Sequence, residues 1–303
     1  MLDVIHISKN IDGKEVLTDC TFSVLPGTIY GIVGINGVGK STLMKICCGI
    51  LKPDNGTVLL GTKTVYNNFV AKRDIIFIPD DPYYELNDTV NNLAMFYNAF
   101  YKVDYDYLKY LLEILEVNLN DKLVKLSKGK RKRTYLAIAL SIAPKIIILD
   151  ETFDGLDPKA KKTFKSEVYK LLERKDVSLI LTSHSLRELS DIATNIGYLK
   201  EGKLINLGDI EYKLNPLYRI IIKENIKALD SLNILKKTII NDFLICDVLN
   251  TKDEISNMLK DKEYSIDIVP FEDWICYQME ELAWIWTIWS FYLISTNLFI
   301  YYY

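Results

Sequence analysis

The sequence predicts an α/β fold on a largely parallel sheet, followed by a small α+β appendage. Three observations carry that prediction. Uninterrupted apolar runs, "TIYGIVG", "KIIILD" and "VSLILTSH", recur along the N-terminal part of the chain, as strands buried on both faces require. Helical segments alternate with them, the order that a parallel sheet with crossover helices imposes. A glycine-rich loop also joins one of these strands directly to a helix.

In chain order, "LDVIHIS" and "EVLTDCTFSV" alternate and are rich in β-branched residues, which predicts a pair of strands. Pro26-Gly27 makes a turn into the buried strand "TIYGIVG". The helix "KSTLMKICCGI" follows, ended with the help of Gly49 and Pro53. "PDNGTVLLG" reads as a turn and a strand, and residues 89–100 and 104–116 as helices, the second carrying Leu108, Leu111, Leu112 and Leu115 on one side. The basic stretch "LSKGKRKR" opens a helix with the apolar body "YLAIALSIA". "KIIILD", "PKAKKTFKSEVYKLLERK", "VSLILTSH" and "SLRELSDIA" then read as strand, helix, strand and helix. After about residue 215 the alternation stops. "YRIIIKE", "TIINDFLICDV" and "YSIDIVP" read as strands separated by "ALDSLNIL" and "TKDEISNMLK". The expected domains are residues 1–213, an α+β unit over 214–280, and a hydrophobic tail over 281–303. There is no internal repeat and no low-complexity linker.

The 303 residues are 49% apolar and carry a formal net charge of −3, which argues against a surface built wholly for nucleic acid. The five cysteines form no C-x-x-C pair and their number is odd, so they are expected as reduced packing residues. Two histidines are too few for a His-rich metal site. The N-terminus has an early acid and no long apolar core, unlike a signal peptide.

Two motifs carry chemistry. "GINGVGKST" matches G-x-x-x-x-G-K-[ST], with a strand before it and a helix starting within it. Glycines there let successive backbone N–H groups face phosphate oxygens, and the helix N-terminus adds partial positive charge. Gly34, Asn36, Gly37, Val38, Gly39, Lys40, Ser41 and Thr42 are therefore the candidate nucleotide-phosphate residues, with Lys40 on the β- and γ-phosphates and Ser41 on Mg2+. "IIILDET" delivers Asp150 and Glu151 to the sheet edge where ligands bind. Asp150 is expected to hold Mg2+ through its water shell, and Glu151 to polarise the water that attacks the γ-phosphate.

In this order, "GINGVGKST", "LSKGKRKR", "IIILDETFDGLDP" and "LILTSH" resemble the nucleotide-binding subunit of an ABC transporter, over roughly residues 1 to 213. The resemblance implies a P-loop ATPase domain with a mostly parallel core sheet, an antiparallel β subdomain and a helical subdomain. It also implies a head-to-tail dimer, homodimeric or with a related ATPase, with each ATP between one P-loop and the partner's signature motif. "LSKGK" stands where the family usually has Leu-Ser-Gly-Gly-Gln, which brings in Ser127 and Gly129. Asp157 matches the D-loop and His184 the switch histidine that meets the γ-phosphate. His6 is taken as structural. Ser127 is a good N-cap. Cations after it are disfavoured by the helix dipole unless an anion such as the partner's γ-phosphate docks there; the extra basic residues either only solvate the helix or reach that phosphate through Lys128 or Lys130.

Two positions depart from the family pattern. "IIFIPDDPYY" offers Asp80 where the family has the Q-loop glutamine; a carboxylate can ligate Mg2+ but cannot donate a hydrogen bond. Ile11 stands where an aromatic usually stacks on adenine, which weakens stacking and relaxes nucleotide selectivity. The stretch from Leu282 to Tyr303 carries no charge and has the length of a membrane span; it reads as an anchor, as a helix docking on a permease, or as a sequence accident or atypical extension. The reading that follows is an ATP-hydrolysing subunit, using ATP and Mg2+, at the cytoplasmic face of a membrane, driving a separate permease. The short domain and small appendage resemble exporter ATPases, including those for antimicrobial peptides and bacteriocin immunity. The alternatives are a soluble ATPase of this family working on nucleic acid or ribosomes, which the lack of coiled-coil insertions or zinc cysteines disfavours, and a weakly active regulatory ATPase.

Overall fold

The computed structural model describes residues 1–151, 155–174, 176–207, 217–223, 229, 231–240, 243–260, 262–269, 273 and 277. The tail expected over 281–303, Cys276, and Phe153 and Asp154 of "FDGLD" lie outside the described residues. The chain divides into two compact units, Met1–Leu207 and Gly208–Tyr303.

The first unit holds two sheets. Strands β1 (Leu2–Ile11), β2 (Lys14–Val24), β4 (Asn55–Leu60) and β5 (Lys63–Thr64) form an antiparallel sheet in the order β2-β1-β4-β5. The larger sheet combines β3 (Ile29–Val33), β6 (Ile75–Ile78), β7 (Ile146–Leu149), β8 (Ser178–Ser183), β9 (Asn195–Lys200) and β10 (Lys203–Leu207) in the order β10-β9-β3-β8-β7-β6. All neighbours in it are parallel except the β9–β10 hairpin at one edge. Every residue of β3, β7 and β8 is buried, as their unbroken apolar runs predict. Apolar side chains of both sheets, among them Leu2, Leu17, Phe22, Ile32 and Ile148, form one cluster with Leu43, Met44 and Ile46 of α1 (Lys40–Cys47).

The helices end where local chemistry requires. Asn68, Thr89 and Asp104 cap α2 (Phe69–Lys72), α3 (Val90–Asn98) and α4 (Tyr105–Ile114) with their side-chain oxygens. Helix α5 (Lys128–Ile142) starts at Ser127 and stops at Ala143, which adopts φ 45° just before Pro144. Its residues Thr134 to Ser141 are all buried, so its charge is confined to its first turns. Helix α6 (Pro158–Arg174) opens with proline at its first position. It is tied to α4 by the buried Glu167, which accepts hydrogen bonds from Tyr107 and Tyr110. Helix α7 (Leu186–Ser190) completes the unit.

The second unit is an antiparallel sheet of β11 (Tyr218–Ile222), β12 (Ile234–Ile240), β13 (Phe243–Val248) and β14 (Tyr264–Ile268), ordered β12-β13-β11-β14, with helix α8 (Lys252–Met258). The run "TIINDFLICDV", read from sequence as strand, divides between β12 and β13, which pair antiparallel up to Ile240 and Phe243. A continuous apolar run does not reveal such a reversal; its signal is the polar Asn241-Asp242 pair in the middle. "TKDE" forms a capping box between Thr251 and Glu254 at the start of α8.

Cys20, Cys47, Cys48 and Cys246 are free and buried, and burial pushes the thiols of Cys20 and Cys48 up to about 11. They pack and are not nucleophiles. His6, by contrast, is exposed on β1 and pairs with Asp19 at 2.6 Å.

Across β11 and β13, Arg219 holds Asp247 in a two-pronged ion pair at 2.6 and 2.7 Å. Burial pushes the Asp247 carboxyl up, but hydrogen bonds from Arg219 and Tyr277, with the Arg219 charge, outweigh it and hold the group below the carboxylate range. Arg219→Met should destabilise this unit by about 3 kcal/mol at neutral pH, measured by amide exchange in β11 and β13. A depressed folded pKa gives stability that is complete above the unfolded value and lost as pH falls through the folded one. The variant's deficit should therefore narrow below about pH 4.

Candidate functional site

Between β3 and α1 the chain curls as the glycine spacing predicts. Gly37 and Gly39 have φ of 80° and 113°, a region strained for residues with a side chain. A Cβ on Gly39 would also stand 3.0 Å from the Val16 carbonyl oxygen. Helix α1 has no side-chain cap, so its first-turn N–H groups point into the loop without a side-chain partner. Lys40 is only 3% exposed. Its ammonium donates to the carbonyls of Gly34 (2.7 Å) and Ile35 (3.1 Å) and lies 3.2 Å from Glu151 Oε1.

A cleft of about 570 Å3 opens at this loop. Gly37, Gly39, Lys40, Ser41, Thr42 and Glu151 line it, and the β1–β2 hairpin adds Ile11, Asp12, Lys14 and Val16. Asn36 is exposed on the loop, and the Val38 N–H turns back to the Ile35 carbonyl at 3.4 Å. Ile11 is thus brought beside the P-loop.

The two acids sit where β7 ends, beside β8. Asp150 is buried and accepts the Thr182 hydroxyl on Oδ1 at 2.6 Å. The same Thr182 oxygen accepts the Glu151 N–H at 2.9 Å. Glu151 has φ 46°, unusual for a non-glycine residue. Its carbonyl accepts the Lys132 ammonium at 2.8 Å. His184 follows the end of β8 and is exposed at the same edge of the sheet.

Ser127, Gly129, Asp157 and Asp80 do not line this cleft. Ser127 caps α5 by accepting the Lys130 N–H at 3.3 Å, as its sequence predicts. Gly129 has no room for a side chain: a Cβ there would meet the Gly155 carbonyl oxygen at 2.6 Å. Asp157 caps α6 through the Ala160 N–H (3.0 Å) and pairs with Arg133. Asp80, expected from sequence as a metal ligand, is held by Lys132 at 2.6 Å and approached by Lys128 at 3.6 Å. Burial raises the Asp80 carboxyl, but the hydrogen bond and charge of Lys132, with Lys128 beyond, outweigh it and keep the group below its ordinary range.

The basic stretch therefore turns largely inward. Arg131 donates to the Leu126 carbonyl and lies over the Tyr84 ring, Lys132 reaches Asp80 and Glu151, and Arg133 reaches Leu115 and Asp157. Sequence reasoning singled out neither Thr182 nor Lys132. Thr182 had a signal, a lone hydroxyl inside the apolar strand "LILTS". Lys132 had none that separates it from the other cations.

Residues 17–154 match the family described as ABC transporter. The ABC transporter ATP-binding protein YtrB of Bacillus subtilis (strain 168) is 28% identical over 70% of this chain and 73% of its own length. The Nod factor export ATP-binding protein I of Rhizobium etli is 31% identical over 68% of this chain and 67% of that protein. Relatives named as importers match as well. Among solved structures, cbiO1 from Clostridium perfringens, part of the ABC transporter complex cbiONQ, aligns with a TM-score of 0.59 at 26% identity, over 70% of this chain and 90% of that one. With the P-loop, the paired acids and the signature stretch in the positions described, this chain belongs to the ATP-binding proteins of ABC transporters, a family of ATPases.

Proposed function

We propose that the chain hydrolyses Mg2+-bound ATP in a dimer of cassettes, with itself or with a related chain, and that the cycle drives export through a separate permease at the cytoplasmic face of a membrane. The observation that carries this reading is the meeting of Lys40 and Glu151 at one glycine-rich loop, with Asp150 held beside Glu151 by the shared Thr182 hydroxyl at the carboxyl edge of the parallel sheet.

Among the described residues, no group of three or more His, Cys, Asp or Glu side chains could hold a metal alone. That suits Mg2+, which keeps several waters and relies on a few protein oxygens plus substrate phosphates. Ser41, at the first turn of α1, and Asp150, behind it at the end of β7, are the residues that would hold it. Mg2+ bound there would offset the charge on the β- and γ-phosphate oxygens. Lys40 directs its ammonium to the same oxygens, while Gly37, Gly39 and the start of α1 supply backbone N–H groups. Glu151 accepts a proton of the attacking water and orients it in line with the γ-phosphate. His184 reaches the γ-phosphate from the adjoining strand end. Ser127 and Gly129 stand outside this cleft, which supports a role across a dimer, on the partner's ATP. Asp157 follows Gly155, whose carbonyl closes on Gly129.

A permease partner is supported by the surface between β6 and α4. Tyr83 (85% exposed), Leu86 (74%), Phe96 (60%) and Phe100 (57%) present large apolar side chains to solvent. Phe96 and Phe100 meet edge to face at 5.4 Å, and the Tyr135 hydroxyl anchors the Tyr83 carbonyl. No helix among the described residues is long and apolar enough to cross a membrane; the assignment of the pore to another chain is supported by cbiO1, which is one part of the cbiONQ complex. Export is the direction favoured by the small α+β unit after the cassette and by the Nod factor export relative.

Glu151→Gln should lower ATP turnover by about 100-fold or more while ATP still binds; near-normal turnover in that variant would remove Glu151 as the base. Ser127→Asp keeps a competent N-cap, so its stability should stay within about 0.5 kcal/mol. It also places a carboxylate where the partner's γ-phosphate docks. In a Glu151→Gln background, ATP-dependent dimers seen by size-exclusion chromatography should disappear on adding Ser127→Asp. Their persistence would argue against a signature-to-phosphate contact.

A further inference from the structure

Of the cations in "LSKGKRKR", Lys132 is buried most deeply, at 4% exposure. A buried ammonium is stable only when its donors meet oxygen and its charge meets a counter-charge. Both conditions are satisfied by residues far away in sequence. The ammonium lies 2.6 Å from Asp80 Oδ1, 52 positions earlier, and 2.8 Å from the Glu151 carbonyl oxygen, 19 positions later. One side chain thereby joins three elements: the segment after β6, the first turns of α5 and the end of β7.

We propose that Lys132 is a positioning residue for hydrolysis, and that Asp80 is the counter-charge that holds it in place. Glu151 sits at φ 46°, a conformation that surrounding contacts must enforce. Its N–H is fixed by Thr182 and its carbonyl by Lys132. With both ends of the residue held, its carboxylate leaves the backbone in one direction, to within 3.2 Å of Lys40. Removing the Lys132 donor frees the carbonyl, lets φ relax and swings the carboxylate off the line of attack. Asp80 serves this arrangement from outside the reacting atoms. Its oxygen is committed to Lys132, with Lys128 3.6 Å away, and this takes the place of the Mg2+ ligation that its position in the sequence suggested.

The inference rests on Glu151 being the water-polarising carboxylate, and the experiment separates the two ideas. Lys132→Met keeps most of the unbranched stem, one atom shorter, and removes the donors and the charge. In the full chain it should lower kcat by about 10- to 100-fold, the range expected for a misplacement of roughly 1 Å. ATP affinity, measured by calorimetry, should stay within about two-fold, because the P-loop contacts are untouched. Asp80→Asn, which leaves an acceptor for Lys132 but no charge, should fall between wild type and Lys132→Met. Full turnover by Lys132→Met, with Glu151→Gln inactive, overturns the positioning role and leaves the proposed base standing. Loss of ATP binding in parallel with kcat also overturns it. If Glu151→Gln keeps turning over, the base assignment fails, and a thermal melting cycle decides the pairing alone. Asp80→Ala strands a buried charge, so its melting temperature should drop further than that of Asp80→Ala/Lys132→Met. Drops that simply add would overturn the Asp80–Lys132 pair.

Discussion

One hydroxyl group holds the chemistry of this cassette to its scaffold. Thr182, in the middle of the parallel sheet, donates to Asp150 and accepts from the backbone of Glu151. A threonine inside an apolar strand is unfavourable unless both capacities of its hydroxyl are used. Here they are used on the two acids that end the adjacent strand, so the satisfaction of one buried polar group fixes the placement of two charged ones. The flanking strands β3 and β7 are buried on both faces, and they bring the P-loop and the acids to the same edge.

Two nearly buried lysines meet Glu151 from different sides. Lys40 faces its carboxylate and Lys132 its carbonyl, so each cation is offset by a combination of backbone dipole and carboxylate. Lys40 has Gly34, Ile35 and Glu151; Lys132 has Glu151 and Asp80. The symmetry is chemical only. Lys40 lines the cleft, whereas Lys132 lies in α5 and answers to a carboxylate of its own. A positive charge placed there without Asp80 would draw on Glu151 itself, which is why the negative residue at position 80 and the positive one at position 132 make sense together and neither does alone.

Local signals carried much of the fold. Strands β3, β7 and β8 are legible because burial on both faces demands unbroken apolar runs, and the P-loop because glycine adopts the φ values at positions 37 and 39 without strain. Ser127 as an N-cap follows from one residue and its neighbours. What local patterns do not encode is pairing at a distance. Nothing in "IIFIPDDPYY" distinguishes an acid that ligates metal from one that neutralises a lysine 52 positions away. The inward turn of Arg131, Lys132 and Arg133 is invisible for the same reason: a helical wheel places them around α5, but only the tertiary surroundings say which oxygen each one finds. The hairpin inside "TIINDFLICDV" was obscured by a different cause, since apolar character continues through both strands and only two polar residues interrupt it.

The inward use of charge also bears on how α5 starts. Cations in the first turns of a helix oppose the positive end of its dipole, and a surface carrying several of them would repel itself. Three of the five basic residues here are matched within the chain by Asp80, Asp157, backbone carbonyls and the Tyr84 ring. Ser127 is left at the exposed end with its hydroxyl on the Lys130 N–H, Lys128 is exposed but 3.6 Å from Asp80, and Gly129 lies against the Gly155 carbonyl so tightly that no larger residue fits. An anion approaching this end therefore meets a helix N-terminus flanked by Lys128 and Lys130 rather than by all five cations.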